Sequence, residues 1–324
     1  MRKTAFLALI VLIFSLSLNA FTLGDLGEFK FEKANDNVYI MHGPEEEPSK
    51  KNEGFMNNPA LIESQNGLIV IDPGGNYNVG KKVLAEIEKV SKKPIIAIFN
   101  THKHGDHWFA NKSIKEKYPN VPIYALTYMI EQVKDNAADT WYGILDRLTG
   151  NLEGTKPFTF PSQGVENRQT VVVDGQTFIM RHYAKGHTDT DILIEHVNSN
   201  TLFIGDNLIT NRFGAFDESS SIVENIKLLE KIKNQEDGFK KYTLYVPGHG
   251  PSSGEISKTI DPFLNYLNII VAGAKKAYEN DIPSYEIKSE VHEELKAYHS
   301  WDAYEGQMGK HLMKAYSEIE MLDF

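Results

Sequence analysis

The chain has 324 residues, a formal net charge of −10 and no cysteine. The acidic balance argues against a nucleic-acid partner, because a nucleic-acid-binding protein carries a basic face. The lack of cysteine excludes disulfide bonds and a thiol-linked lipid anchor, so an exported form would depend on its packed core alone. The length allows one large domain of strands and helices with an appendage.

Residues 1–20 have the composition of a signal peptide. Arg2 and Lys3 form a short positive head, and the apolar stretch Ala5–Leu18 is too short to span a bilayer comfortably. Ala20 offers a small residue for cleavage. We therefore expect a secreted or periplasmic protein, with an uncleaved membrane anchor as the alternative. No second long apolar run follows, so we expect no membrane span in the mature chain.

Strands and one helix are predicted for the first third of the chain. The predicted strands are Asn37–Met41, Ala60–Ser64, Gly67–Ile71 and Pro94–Asn100. The third of these is continuously apolar, as a strand buried on both faces would be. Val79–Val90 has apolar residues at helical spacing and lysines and glutamates on the other face, which predicts an amphipathic helix.

The middle of the chain is predicted to begin with a helix and to continue as strands. Residues 128–165 read as helical and then as a loop. The strands that follow are Thr170–Val173, Thr177–His182, Asp191–His196, Thr201–Gly205 and Tyr242–Val246. The turn sequence Asp174-Gly175 predicts a hairpin between the first two of them. Ser221 and Glu224 form a capping box, which predicts the start of a helix before the last strand.

Beyond about residue 256 the strand patterns stop. Asp261-Pro262 is a good helix start, and apolar residues at helical spacing follow it. We therefore expect a signal peptide at 1–20, a main domain at 21–255 and a C-terminal helical region at 256–324. Mixed strands and helices followed by a helical tail indicate an α/β or α+β fold class.

Four metal-ligating residues stand in six positions directly after the fourth predicted strand. They are His102, His104, Asp106 and His107. The first two are two residues apart, so on an extended strand end both imidazoles point the same way and can reach one ion. The other two follow at the start of a short helix and can serve a second ion. Histidine and aspartate without a thiolate suit zinc, and also iron or manganese. A polar surface turn is the alternative reading.

Three later positions repeat one arrangement, in which a strand-like run ends and a glycine precedes a ligand-type residue. They are Gly186-His187, Gly205-Asp206 and Gly248-His249. Each alone is more typical of a capping turn than of catalysis. Together with the first cluster they favour a site, because catalytic groups gather where loops leave one edge of a sheet and glycine permits turns that aim the next side chain inward.

The order of these motifs, His-x-His-x-Asp-His and then Gly-His, Gly-Asp and Gly-His, resembles the metallo-β-lactamase superfamily. The resemblance covers about residues 35–255 and includes Val70–Gly74, where Asp72 is similar to the family's early strand-turn aspartate. It implies an α+β fold, the αββα sandwich of two β-sheets flanked by helices, with metal ions at one edge. Residues 256–324 would then form a C-terminal helical extension.

The resemblance also implies two divalent metal ions, which we expect to be zinc, with iron or manganese as alternatives. The residues expected to bind the first ion are His102, His104 and His187. The residues expected to bind the second are Asp106, His107 and His249, and Asp206 is expected to bridge both. Asp72 is not a ligand in the family, and we expect it to hold the loops of the site by hydrogen bonds.

The activity that the resemblance implies is hydrolysis. Two cations about 3.5–4 Å apart lower the pKa of a shared water, and the bridging hydroxide attacks a carbonyl-type substrate such as a thioester, ester, lactone or amide. Asp106 would act catalytically by orienting the nucleophile or passing on its proton. We expect a small-molecule substrate and no nucleic acid, and the sequence does not fix the oligomeric state.

The ligand set is most similar to the glyoxalase II-like branch, because Asp206 stands where one β-lactamase branch has cysteine. The C-terminal residues Trp301, Tyr304, Tyr316 and Glu318 resemble those of exported hydrolases of the SoxH and quinoprotein-relay type. The alternatives are a mononuclear iron persulfide dioxygenase, a true metallo-β-lactamase, and a periplasmic binding or sulfur-carrier protein that keeps the site without turnover.

Substrate contacts are the least specified part of the sequence. The candidates for lining a pocket are Tyr128, Trp141, Tyr142 and Lys185. Aromatic residues in this segment are, however, more typical of a core.

Overall fold

The computed structural model describes residues 29–322. The predicted signal peptide at 1–20 lies outside these residues. No helix within 29–322 is long and apolar enough to cross a lipid bilayer.

The first sheet, within the described residues, has seven strands arranged in chain order. They are β1 (Glu32–Asn35), β2 (Val38–Ile40), β3 (Ala60–Glu63), β4 (Leu68–Ile71), β5 (Ile95–Phe99), β6 (Ile123–Leu126) and β7 (Gln163–Val165). Strands β1 to β4 pair antiparallel, whereas β4 to β7 pair parallel. The parallel part places the carboxyl ends of β4 and β5 at the same edge.

The second sheet, as far as 29–322 show, has five strands in the order β12-β11-β10-β9-β8. They are β8 (Thr170–Val173), β9 (Gln176–His182), β10 (Ile192–His196), β11 (Thr201–Ile209) and β12 (Leu244–His249). Only β11 and β12 pair parallel among them. The hairpin between β8 and β9 turns at Asp174 and Gly175, which both have positive φ, as the turn sequence predicts.

Helices cover the outer faces of both sheets. They are α1 (Tyr77–Val90), α2 (Gly105–Trp108), α3 (Asn111–Lys117), α4 (Thr127–Gln132), α5 (Ala138–Thr149), α6 (Ile222–Asn234), α7 (Ile260–Glu279), α8 (Lys288–Glu294) and α9 (Tyr304–Leu322). A π-helical turn at Val133–Ala137 joins α4 to α5. Ser221 caps α6 as expected, because it accepts a hydrogen bond from the backbone N–H of Glu224. The reciprocal half of the predicted capping box does not form, because the backbone N–H of Ser221 donates to the carbonyl of Gly186 instead.

Three apolar clusters separate the layers. The cluster between the sheets joins residues of both, and the rings of Phe99 and Phe178 meet in it at 4.8 Å between centroids. A second cluster packs α1 and α3 against the outer face of the first sheet. The third packs β10 and β11 against α6 to α9, so the C-terminal helices share a core with the second sheet. The predicted α+β sandwich of four layers with a C-terminal helical extension is therefore confirmed.

Two details of the sequence reading were wrong. We predicted that β11 and β12 end before their ligand-type residues, but Asp206 and His249 lie inside these strands. The pairing of β11 with β12 is irregular on both sides of Gly205, but it continues to Ile209 and His249. Both strands therefore extend beyond the apolar runs that predicted them. Strands β1, β6 and β7 were also not predicted. β1 and β7 are short and largely exposed edge strands, and β6 is a buried strand of only four residues.

Candidate metal centre

The structure brings all seven candidate ligands together at one edge of the sandwich, where the segment after β5, the loop before β10 and the strands β11 and β12 meet. All seven are buried: His102, His104, Asp106, His107, His187, Asp206 and His249. Their ligand-type atoms form two groups, and within each group the atoms lie within 4.8 Å of one another. Residues separated by up to 147 positions therefore converge on one small region.

The first group contains His102, His104, His187 and Asp206. His104 Nδ1 lies 3.0 Å from His187 Nε2, and that nitrogen lies 3.5 Å from Asp206 Oδ2. The Nδ1 atom of His102 contacts Thr101 Oγ1 at 3.0 Å, which leaves its Nε2 for the group. The loop after β5 and the loop before β10 supply the three imidazoles, and β11 supplies the carboxylate.

The second group contains Asp106, His107, Asp206 and His249. His107 Nε2 lies 3.3 Å from His249 Nε2 and 3.1 Å from Asp206 Oδ1. Asp106 Oδ2 lies 3.3 Å from the Nε2 atoms of both histidines. Asp206 therefore belongs to both groups: its Oδ1 lies near His107, and its Oδ2 lies near both His187 and His249.

The residues of both groups fit metal ions. His102 Nε2 and Asp206 Oδ1 are buried and have no hydrogen-bond partner. His107 donates from Nδ1 to Asp72, and His249 donates from Nδ1 to the carbonyl of Met56, at 2.9 and 2.8 Å. In the neutral rings their Nε2 atoms are then both unprotonated, yet they face each other at 3.3 Å. Either a proton or a metal ion must therefore lie between them, and this nitrogen and oxygen donor set suits zinc, iron or manganese.

Burial and the carboxylates act in opposite directions on the imidazoles. Burial lowers the pKa of His187 to about 3, despite the opposing charge of Asp206. The neutral form is the one that binds metal. Burial also disfavours the charge on His107, but Asp206 and Asp106 outweigh it and raise the pKa of His107 well above its ordinary value. A proton therefore competes with a cation in the second group more than in the first.

Asp72 connects the end of β4 to the segment after β5 that carries four of the candidate ligands. Its Oδ1 accepts a hydrogen bond from the backbone N–H of Thr101 at 2.9 Å, and its Oδ2 accepts one from Thr101 Oγ1 at 2.6 Å. The same Oδ2 accepts from His107 Nδ1. The side chain thus holds this one segment by hydrogen bonds, and it favours the tautomer of His107 with the proton on Nδ1.

Sequence reasoning missed the corresponding partner of the first group. Asp217 Oδ2 lies 3.5 Å from His104 Nε2, on the side of the ring away from His187. Asp217 lies in the loop before α6. The same loop contacts His187, because Ser220 Oγ donates a hydrogen bond to the carbonyl of His187 at 2.6 Å. A metal-bound histidine generally donates from its other nitrogen to an acceptor. This rule predicts that such a residue exists, but it does not say which residue it is.

Of the four candidates for substrate contact, Trp141 lies at the site. Its ring centroid is 4.1 Å from that of His104. Tyr128 is exposed and accepts a hydrogen bond from Gln132, and Tyr142 packs on Phe158 under the ammonium group of Lys156. Lys185 lines a separate surface cavity beside α6. Within 29–322, no hydrogen bond or ring contact joins these last three candidates to the seven ligands.

Comparison with known proteins agrees with this geometry. The sequence model described as "Metallo-beta-lactamase superfamily" matches residues 52–249. A hydroxyacylglutathione hydrolase of Francisella tularensis is 26% identical over 227 residues, which are 68% of this chain and 75% of the relative. A probable metallo-hydrolase of Methanocaldococcus jannaschii is 30% identical over 203 residues, 61% of this chain and 89% of the relative.

Alkylsulfatases are also similar to this chain. A linear primary-alkylsulfatase of a Pseudomonas strain is 40% identical over 77 residues, which are 22% of this chain and only 15% of that protein. The structure of a sec-alkylsulfatase from Pseudomonas sp. superposes with a TM-score of 0.68 at 16% identity and covers 90% of this chain and 50% of its own. A metallo-beta-lactamase from Pontibacter korlensis has a TM-score of 0.58 at 15% identity and covers 74% of this chain and 99% of its own.

The fold and the two His/Asp groups, together with these relatives, define a metal-dependent hydrolase. The chain belongs to the metallo-beta-lactamase superfamily, because the family model matches more than half of its length. Relatives named hydroxyacylglutathione hydrolase and metallo-hydrolase support the glyoxalase II-like branch that the sequence predicts. The narrower SoxH resemblance stays a prediction.

Proposed function

We propose that the protein is a binuclear hydrolase that holds one metal ion in each ligand group and cleaves a carbonyl-type substrate. The observation that carries the proposal is the sharing of Asp206 by two groups of buried donor atoms. Such a pair of ions, when bound, activates water and polarises the bond that is cleaved. Zinc is the expected metal, with iron or manganese as alternatives.

The residues of the chain have distinct tasks in this proposal. His102, His104 and His187 would hold the first ion and Asp106, His107 and His249 the second, with Asp206 shared by both. Burial disfavours the charge on Asp106, but His107 and His249 outweigh it and keep its pKa well below the usual range, so this carboxylate is ionised. As a carboxylate it can accept a hydrogen bond from an attacking water and so orient it. Trp141, which packs on His104, forms one wall of the substrate site.

Metal content and hydrolysis test the proposal together. Protein purified without added metal should contain about two zinc-like ions per chain by elemental analysis. It should hydrolyse members of a panel of thioesters, lactones and esters, and a chelator should abolish this activity. A single iron per chain with no hydrolysis would overturn the proposal, and oxygen consumption with a persulfide would then favour the dioxygenase alternative.

Two variants separate the ligand groups. His249→Ala should retain about one ion, because the first group stays complete. Asp206→Asn should retain fewer, because both groups lose a donor. Asp139→Asn, on the exposed face of α5, is the control and should keep both ions. Equal metal content in all three variants would contradict the shared position of Asp206.

Hydrolysis of an alkyl sulfate is the second candidate function. It is favoured by the sec-alkylsulfatase structure, whose superposition covers 90% of this chain. Residues 1–255 are less than 90% of the chain, so the superposition must include part of the C-terminal helices. Release of inorganic sulfate from octyl sulfate, measured beside thioester and β-lactam hydrolysis, decides among the candidates. The preferred substrate is the one with the highest kcat/KM.

We also propose that the protein is exported, on the basis of residues 1–20. Expression of the full chain in a Gram-negative host should release a mature form into the periplasmic fraction. Retention of the whole chain in the membrane fraction would instead support an uncleaved anchor.

A further inference from the structure

Arg212 is a buried cation without an anionic partner beside the candidate metal centre. Its side chain follows the end of β11 and is 4% exposed. Within residues 29–322, its guanidinium forms no ion pair, and its buried Nε has no hydrogen-bond partner. Its one close polar contact places Nη1 at 3.2 Å from His249 Nδ1. A buried arginine is rarely left unpaired, because its desolvation is then uncompensated.

The contact with His249 does not satisfy the guanidinium. His249 Nδ1 also lies 2.8 Å from the carbonyl oxygen of Met56. Since His249 Nε2 faces Asp206 and His107, the ring proton resides on Nδ1 and is donated to Met56. An N–H group cannot accept a hydrogen bond from Arg212 at the same time. The guanidinium of Arg212 therefore faces the Nδ1–H donor of His249 and has no acceptor for its own N–H groups there.

The charges around the site leave Arg212 uncompensated. The carboxylates in or next to the two groups belong to Asp72, Asp106, Asp206 and Asp217. A further carboxylate, the buried Asp191, lies next to them. Lys103, the other buried cation nearby, is paired with Asp189 at 2.7 Å. Within residues 29–322, none of these carboxylates forms an ion pair with Arg212.

The backbone prevents Arg212 from moving into solvent easily. The flanking residues are joined to the C-terminal region, because Phe213 donates to the carbonyl of Asp302 and Asp302 donates to the carbonyl of Asn211, each at 3.0 Å. The ring of Phe213 stacks on Trp301. The C-terminal region therefore holds the unpaired guanidinium next to His249.

We propose that Arg212 binds an anionic group of the substrate, a carboxylate or a sulfate, on the His249 side of the centre. A charged acceptor there would satisfy the guanidinium. This inference rests on the proposed hydrolase function, and it makes the substrate class anionic.

Anion binding tests the inference without turnover. Titration calorimetry of the zinc-loaded protein with inorganic sulfate and with acetate should show binding, and the tighter of the two anions identifies the preferred group. Arg212→Met should weaken that binding about tenfold to a hundredfold, which corresponds to one charged hydrogen bond. Arg147→Gln, an exposed arginine of α5, is the matched control and should bind as the wild type does. No sulfate or acetate binding by the wild type would overturn the inference.

Stability separates this role from a structural one. Without an anion, Arg212→Met should melt at the same temperature as the wild type or higher, because an unpaired buried charge is removed. A folding failure or a large fall in melting temperature would show that the arginine has an unseen structural partner and would overturn the inference. Arg212→Lys should restore part of the anion binding.

Kinetics separate the inference from the proposed function. If the wild type hydrolyses both esters, Arg212→Met should raise KM for 4-acetoxybenzoate and leave KM for neutral phenyl acetate unchanged. If the wild type hydrolyses both esters and Arg212→Met changes neither KM value, the inference is overturned and the proposed hydrolase function stands. Sulfate or acetate binding that depends on Arg212, without any hydrolysis by the wild type, would retain the inference and overturn the hydrolase.

Discussion

Ser221 Oγ donates a hydrogen bond to Glu318 Oε2 at 2.9 Å, across 97 positions of sequence. The same carboxylate accepts the backbone N–H of Ile222 at 3.0 Å, so a side chain of α9 caps the N-terminus of α6. The adjacent Ser220 donates to the carbonyl of His187. The last helix is thereby linked to a candidate metal ligand through one short loop.

Glu318→Ala should therefore lower both stability and metal affinity. The loss of a buried charged acceptor should reduce the free energy of unfolding by roughly 1–3 kcal/mol, and loosening of the loop should weaken binding of the first ion. Thermal melting and chelator competition measure the two effects. Glu320→Ala, on the exposed side of α9, is the control. Equal behaviour of the two variants would contradict the link.

Asp217→Asn should weaken the first metal group selectively. The carboxylate of Asp217 faces His104 Nε2 and favours the tautomer in which Nδ1 is free to bind metal. Loss of such a partner typically lowers metal affinity about tenfold to a hundredfold. Stepwise zinc titration should show one weakened ion and one unchanged ion. The exposed neighbour Glu218 provides the control variant Glu218→Gln, and weakening of both ions in Asp217→Asn would argue against a local effect.

The sequence identified the candidate ligands better than the residues that support them. His102, His104 and their partners are recognisable because their types and spacing are specific to metal chemistry. Asp217 and the carbonyl of Met56 act through loops whose path is set by packing on distant helices, and no local pattern encodes that path. Arg212 was missed for the same reason, since an arginine after a strand normally reads as a surface residue.

The strands also differ in how well the sequence predicts them. β4 and β5 are continuous apolar runs, so their burial can be predicted from sequence. β1 and β7 have little apolar pattern and exist because a neighbouring strand pairs with them. The same is true of β11, whose extension past Gly205 depends on pairing with β12. Edge pairing is a property of the assembled sheet, and for this reason the boundaries were harder to predict than the sandwich itself.

His311 should make stability fall in mild acid. Burial lowers its pKa to about 4, while the unfolded chain has the ordinary value of 6.5. Stability present above pH 6.5 is thus lost as the pH falls towards 4, by about 2 kcal/mol at pH 5. His311→Gln keeps a donor for Gly214 and an acceptor for Tyr266 without titrating, so its stability should fall less. Urea unfolding of the metal-free proteins at pH 7 and pH 5 measures the difference, and the exposed His299→Gln control should follow the wild type.

Gly248→Ala should disrupt the centre by steric contact alone. A Cβ at this position would meet Asp206 Oδ1 at 1.8 Å and the backbone nitrogen of Asp206 at 3.0 Å. The backbone of Gly248 is not in the positive-φ region, so an alanine adds no conformational strain of its own. The carboxylate shared by both groups must then move, and we expect both ions to bind at least tenfold more weakly, in line with the effect of misplaced ligands. Gly143→Ala in α5 meets nothing within 4 Å and should bind metal normally with slightly higher stability. Two ions bound at wild-type affinity in Gly248→Ala would show that Asp206 has another position open to it, and its role in joining the groups would have to be abandoned.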